Sequence, residues 1–354
     1  MPLESLTVEH LRNLSRCRLS FSGGVNLVAG PNASGKTSLL EAIALLAQGR
    51  SFRTSRIDLL IQHDAPGLTV VGKLRTARGL VTVGLAREDK KTRVRLNGEP
   101  LHRSTELIDL VPLHVITPES HMLLDQGPKM RRQFLDWGVF HVKHDYLETW
   151  RRYHRVLRQR NQSLRAGADQ KSVQAWDVPL LAEADKLHQM RVDYLARLAP
   201  ALQRYGLQLL DLEPAFAYQP GWSEDNGSLA SQLRAALEAD RERGFTRLGP
   251  HRADLSLRYE GKPVQSLFSR GQQKLLICAM FLAQCSVTPG QSIVLVDDLP
   301  AELDPQRRAR LLQALASTGA QVFVTATEAQ LIDLSAWAEK KVFHVEHGEF
   351  QEVV

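Results

Sequence analysis

Cysteine is scarce in this sequence, with three in 354 residues. Cys17, Cys278 and Cys285 fit neither a zinc-ligand spacing nor a disulfide framework, so they are read as reduced thiols. Long apolar runs are missing too: none approaches the ~18 residues a membrane span requires. Met1-Pro2-Leu3-Glu4 does not begin a secretory leader. These absences set aside the disulfide-stapled and membrane-spanning classes, and the chain is expected to be cytoplasmic. Charge of one sign does not dominate either. The formal net charge is +6, a mild lean toward a polyanionic partner, and 43 % apolar with 24 % charged residues is ordinary for a globular protein. The length allows a large α/β core and a second domain.

What is present is Gly30-Pro31-Asn32-Ala33-Ser34-Gly35-Lys36-Thr37, which fits G-x-x-x-x-G-K-[ST]. Val25 to Ala29 before it reads as a buried strand, and Ser38 to Leu46 after it has helical spacing. Glycine at 30 and 35 lets the backbone wrap a phosphate, and the free N–H groups of the helix start face the β- and γ-phosphates. Lys36 adds a full charge and the Thr37 hydroxyl is placed to ligate Mg²⁺, so residues 30–37 are expected to bind a nucleoside triphosphate.

Around this motif, residues 3–8 and 17–21 read as strands, and three closely spaced runs between 68 and 96, with Asn97-Gly98 as a turn, predict an antiparallel side lobe. From Lys129 to Arg165 the composition turns helical and basic, with ten Lys and Arg against three acids. Tyr146, Trp150, Tyr153 and Leu157 recur at helical steps and predict a buried face. Arg151, Arg152, Arg155 and Arg158 fall mainly off it and are candidate DNA contacts. A second helix is predicted from Val178 to about Leu210. The expected organisation is an ATPase head formed by 1–125 and 249–354, with a helical lid or arm inserted at 126–248. Ser269 is a plausible N-cap for a helix running to about Cys285, and 292–296 is a buried strand ending in Asp297-Asp298, where a P-loop fold holds Mg²⁺ through water. Glu302-Leu303-Asp304 follows, then a helix, a core strand at 321–325 and a hairpin from Lys341 to Val354.

The phosphate loop, the Ser-x-Gly-Gln helix start, Asp297-Asp298 and the Glu-Leu-Asp after it resemble the ABC-type ATPase heads of the SMC superfamily, a mixed α/β fold. Within that group the chain resembles the RecF recombination mediators of bacteria. The segments that carry this are Leu11-Arg12-Asn13-Leu14, Pro118-Glu119 through Gly127-Pro128-Lys129-Met130-Arg131-Arg132-Gln133-Phe134-Leu135-Asp136, Gln159-Arg160-Asn161, Gly249-Pro250-His251-Arg252-Ala253-Asp254-Leu255 and Ser269-Arg270-Gly271-Gln272-Gln273-Lys274. Gly-Pro-His-Arg and the Arg-Arg-x-Phe-Leu-Asp block are far more diagnostic than the phosphate loop.

The resemblance implies an ATP-closed dimer. Lys36 and Thr37 would bind phosphates and Mg²⁺ in one subunit, while Ser269 and the N–H groups of Gly271 and Gln272 would reach the γ-phosphate held by the other. Asp297 would hold Mg²⁺, Asp298 would serve the attacking water, and Asp304 would lie across the seam. Arg12 is read as either a phosphate contact, to ATP or DNA, or a structural ion pair. His251-Arg252 reads as a buried polar network holding lid to head. Asp298 stands where ABC transporters place glutamate, Arg270 replaces the first glycine of their signature, and neither a sensing glutamine near Glu119 nor a histidine after Thr325 is evident, so hydrolysis is expected to be slow. The resemblance also implies binding to single-strand or junction DNA, weak DNA-stimulated ATPase activity, and work with RecO and RecR in loading recombinase, with links to replication restart and the SOS response. The rival readings are an ATPase subunit coupled to a membrane partner and a nucleotide-gated protein scaffold.

Overall fold

The computed structural model describes residues 3–76, 79–101, 104–299 and 303–353. Compactness divides the chain into two units, 1–120 with 278–354 and 121–277. The first begins with β1 (Leu3–Leu11), β2 (Leu14–Ser20) and β3 (Val25–Ala29), after which the phosphate loop opens α1 (Lys36–Gln48). Then come β4 (Gly67–Thr76), β5 (Gly79–Glu88), β6 (Lys91–Leu96), β7 (Glu99–Pro100), α2 (Ser104–Leu110) and β8 (Leu113–Ile116).

The second unit carries α3 (Met122–Asp125), α4 (Pro128–Val142), α5 (Tyr146–Arg165), α6 (Gln170–Gln174) and α7 (Asp177–Leu210). It continues with β9 (Ala215–Gln219), α8 (Leu229–Ala235), α9 (Leu237–Arg243), β10 (Asp254–Tyr259), β11 (Lys262–Pro263), α10 (Val264–Leu267) and the start of α11 (Arg270–Val287). The chain closes in the first unit with β12 (Ile293–Val296), α12 (Pro305–Ser317), β13 (Gln321–Ala326), β14 (Lys340–Glu346) and β15 (Glu349–Glu352).

Two six-stranded sheets build the first unit. One is antiparallel, in the order β2-β1-β4-β5-β6-β7, and joins the two N-terminal strands to the three runs read as a side lobe. The other runs β15-β14-β3-β13-β12-β8, parallel except for β15. In this sheet β3, β12 and β13 are buried at every residue, which is why they read as continuous apolar runs without alternation. Helix α1 packs on strands of both sheets, and so ten of its thirteen residues are buried.

The second unit is helical, with α5 packed on α7, and carries a three-stranded sheet in the order β11-β10-β9. The sequence placed the return to the head at 249, yet this unit continues to Ile277. The reason is β10: it pairs with β9, a strand the sequence reading did not predict, and it packs on α4. The basic segment is two helices rather than one run, broken at 143–145. The diagnostic motifs meet inside this unit. Arg131 forms a bidentate pair with Asp254, both bonds 2.9 Å, and Arg132 donates to the Ala253 carbonyl at 2.6 Å. Buried Arg191 donates to Asp136 and to the Pro250 carbonyl. His251 bonds the Tyr153 hydroxyl at 2.6 Å and the Thr246 carbonyl at 3.0 Å. The His251 network expected to tie lid to head is therefore internal to the second unit.

Candidate nucleotide site

The loop after β3 is shaped by contacts that forbid larger residues. A Cβ on Gly30 would lie 2.1 Å from the Val345 carbonyl oxygen, and one on Gly35, at φ 122°, would lie 2.9 Å from Leu14. Lys36 turns back on the loop, its Nζ donating to the carbonyls of Gly30 at 2.7 Å and Pro31 at 2.8 Å. Burial lowers the Lys36 pKa, and the charges of Asp298 and Asp297 oppose that shift. The buried Ser34 Oγ has no hydrogen-bond partner among the described residues. A lysine whose charge burial disfavours and an orphaned hydroxyl in a glycine-built cradle fit a polyphosphate that supplies acceptors to both.

Opposite the loop, the end of β12 presents two carboxylates. Thr37 Oγ1 donates to Asp297, 3.1 Å from each carboxylate oxygen, and Thr325 Oγ1 donates to Asp297 at 2.7 Å. The same Thr325 oxygen accepts the Asp298 N–H at 2.7 Å. Asp298 sits at φ 53°, a left-handed conformation that most side chains avoid. Burial raises the Asp297 pKa, while the hydrogen bonds from Thr325 and Thr37 pull it back. A hydroxyl and a carboxylate in contact fit Mg²⁺, which binds one or two protein oxygens and completes its shell with water and phosphate. Among the described residues no cluster of three or more His, Cys, Asp or Glu could hold a metal by itself.

These groups share one cleft of about 740 Å³, lined by Asn32, Ala33, Gly35, Lys36, Thr37, Asp297 and Asp298 among others. Arg12 lines it too, with its guanidinium closed on Glu41 by bonds of 3.0 and 3.2 Å. Glu41 is fully buried and also accepts from Ser51, so the ion-pair reading of Arg12 describes its position here. Sequence reasoning missed Phe52 and Arg53 on the cleft wall, and gave Asn13 no site role, though its amide donates to the Ala33 carbonyl and accepts from Ser38. Glu119 lines the cleft where the sensing glutamine was sought.

The remaining candidates lie elsewhere. Ser269 accepts the Gln272 N–H at 3.3 Å and donates its own N–H to the Gln272 side chain at 2.9 Å, a capping box on α11. Both Gln272 groups are thus turned toward Ser269, which leaves Gly271 as the freer donor. Asp304 caps α12 by accepting the Arg307 N–H at 2.9 Å. Glu302 and Val354 lie outside the described residues. On α5, Arg151, Arg155 and Arg158 are exposed, whereas Arg152 is engaged by Glu148 and Glu183.

Residues 2–351 match the model of the RecF/RecN/SMC N terminal domain family. A "DNA replication and repair protein RecF" of Hydrogenovibrio crunogenus is 39 % identical over 352 residues, covering 98 % of this chain and 97 % of that protein. A solved structure of the recombination mediator protein RecF-ATPrS in the RecFOR pathway superposes with a TM-score of 0.85 at 25 % identity, over 100 % of this chain and 98 % of that one. An Smc head bound to the C-winged helix domain of ScpA gives a TM-score of 0.64 at 14 % identity, over 100 % of this chain and 97 % of the other, a likeness of fold alone.

Proposed function

The chain belongs to the RecF/RecN/SMC N terminal domain family, and within it to the RecF proteins, and we propose that it is an ATP-gated DNA-binding protein of recombinational gap repair. One observation carries the nucleotide half of this reading. Lys36 and Thr37 on the loop face Asp297 and Asp298 across a single cleft, the donor set a triphosphate with Mg²⁺ needs. Lys36 would exchange its two carbonyl partners for phosphate oxygens. Thr37 and Asp297 would hold the metal, which neutralises phosphate charge when bound. Asp298 is one methylene shorter than glutamate and would position the attacking water less well, so turnover is slow and the molecule acts as a switch.

The second half is a shared site. Ser269 and Gly271 at the start of α11 would complete the γ-phosphate shell of a partner copy, with Asp304 at the seam, so that ATP holds a dimer together. The paired arms would then close on gapped or junction DNA, with the exposed Arg151, Arg155 and Arg158 on phosphates. The similar structure is of a recombination mediator in the RecFOR pathway, which supports partners that load recombinase, and the same reading extends to replication restart and SOS induction.

Sedimentation with and without ATP tests the shared site. Lys36→Met is expected to lose ATP-dependent dimerisation because nucleotide no longer binds. Ser269→Arg is expected to stay monomeric while each monomer still binds ATP. A Ser269→Arg protein that dimerises normally with ATP removes the shared site from the reading.

A further inference from the structure

The phosphate loop is gripped from behind by two hairpin turns drawn from distant parts of the sequence. β1 and β2 close on the turn Arg12-Asn13, between the paired Leu11 and Leu14. β14 and β15 close on His347-Gly348, between the paired Glu346 and Glu349. Both residues of the second turn have positive φ, 49° and 82°, the mark of a tight type I′ hairpin. Register delivers this turn to the loop. β14 runs parallel to β3 with His344 beside Ala29, so the residues after His344 lie alongside the loop that follows Ala29.

Each turn holds one carbonyl of the loop. The Gly348 N–H donates to the Ser34 carbonyl at 2.8 Å, and the Asn13 side-chain amide donates to the Ala33 carbonyl at 3.1 Å. Asn13 is itself oriented by Ser38, whose hydroxyl donates to the Asn13 side-chain oxygen at 2.8 Å. The two turns also meet. A Cβ on Gly348 would lie 2.4 Å from the Asn13 carbonyl oxygen, so position 348 demands glycine for its space as well as its φ.

A trans peptide points its N–H opposite to its C=O. Fixing the Ser34 carbonyl on Gly348 therefore turns the Gly35 N–H away from the hairpin, and that N–H makes no hydrogen bond among the described residues. Holding the Ala33 carbonyl has a second effect. Ala33 sits at φ 62°, a left-handed conformation that a residue with a Cβ seldom adopts, and the amide of Asn13 stabilises it there. We propose that Asn13 and Gly348 are positioning residues of the nucleotide site, which preset the peptide planes at 33–35 so that backbone donors meet phosphate oxygens without rearranging. The β14–β15 turn then belongs to the site although it follows the Lys36-Thr37 motif by most of the chain. The inference rests on the reading of the cleft as an ATP site and adds what shapes it.

The test is titration calorimetry of ATP with Mg²⁺ on the full chain, beside thermal melting without nucleotide. Gly348→Ala is expected to bind ATP more than about tenfold more weakly, because it loses both the turn conformation and the bond to Ser34. Asn13→Ala is expected to lose about fivefold in ATP affinity while melting like wild type without nucleotide. Adding Ala33→Gly to Asn13→Ala is expected to restore affinity to within about twofold of wild type, since glycine takes φ 62° without the amide. His347→Asn, on the exposed side of the same turn, is expected to stay at wild type. A packing role for Asn13 predicts the reverse pattern, a lower melting temperature with unchanged ATP affinity and no rescue by glycine at 33, and overturns the inference. A folded Gly348→Ala protein with wild-type affinity overturns it too, and if Gly348→Ala melts far below wild type the Asn13 series decides. Wild type that binds no ATP overturns the nucleotide reading itself, whereas wild-type binding with indifferent variants overturns the positioning roles alone.

Discussion

Thr325 joins the two carboxylates with a single oxygen. It donates to Asp297 and accepts the N–H of Asp298, so the residue proposed to hold the metal and the residue proposed to serve water are oriented by one buried side chain. The bond also helps hold Asp298 in its left-handed conformation. Thr325→Val keeps the shape and removes the hydroxyl. Partners of this kind are typically worth ~10- to 100-fold in metal affinity or activity. Thr325→Val is therefore expected to shift the Mg²⁺ dependence of ATP-driven dimerisation to higher concentration by about that factor, with Thr325→Ser close to wild type. A pure packing role would make Ser worse than Val, because Ser lacks the methyl. Sequence alone gave Thr325 no role: its strand was legible, but which carboxylate it would touch depends on the register of β13 beside β12.

At the scale of elements, the basic segment shows how a charge count misleads. Ten cations lie between Lys129 and Arg165, yet Arg131 and Arg160 are buried in ion pairs and Lys143 bonds Asp193. Arg160 donates to Asp177 and Asp240 at 2.9 Å each and to Thr246 at 2.8 Å, tying α5 to α7 and α9. Asp240 is itself fully buried and is one of two carboxylates on Arg160, so Asp240→Ala leaves that guanidinium half-paired and is expected to cost about 3 kcal/mol in chemical denaturation.

His251 gives the same unit a pH dependence. Burial, with Arg252, His154 and Arg132 nearby, lowers its pKa from 6.5 to about 4, against the pull of the Thr246 carbonyl. The unfolded chain binds the proton more readily, so stability is full above pH 6.5 and falls as pH drops toward 4. That is worth roughly 3 kcal/mol for this group. Melting curves of wild type and His251→Gln between those limits are expected to converge as pH falls, because the variant lacks this proton linkage while losing the Tyr153 contact at every pH.

For the whole molecule, the modest formal charge of +6 conceals a segregated distribution. Exposed Arg18, Arg93 and Arg95 on β2 and β6 of the first unit, and Arg151, Arg155 and Arg158 on α5 of the second, make no ion pair among the described residues, while several other cations are consumed in buried networks. DNA affinity dominated by such phosphate contacts is expected to fall steeply and log-linearly with salt, and replacing Arg155 and Arg158 together by Ser to flatten the slope by about 2. A flat salt response of wild type counts against the arm as the DNA surface.

The sequence by itself determined the phosphate loop, the buried parallel strands, the Asp297-Asp298 strand end and the Ser269 helix start, because each depends on residues adjacent in the chain or on one short period. It also carried the family motifs, though not their purpose: the Arg-Arg-x-Phe-Leu-Asp block binds Ala253 and Asp254 just after Gly-Pro-His-Arg, and Arg191 bridges Asp136 to Pro250 within the second unit. Tertiary structure alone decided which arginines remain free, that β10 sides with the helices, that Thr325 bridges the carboxylates and that two hairpin turns hold the phosphate loop. All of these turn on partners tens to hundreds of residues apart, and strand register, which no local pattern contains, selects them.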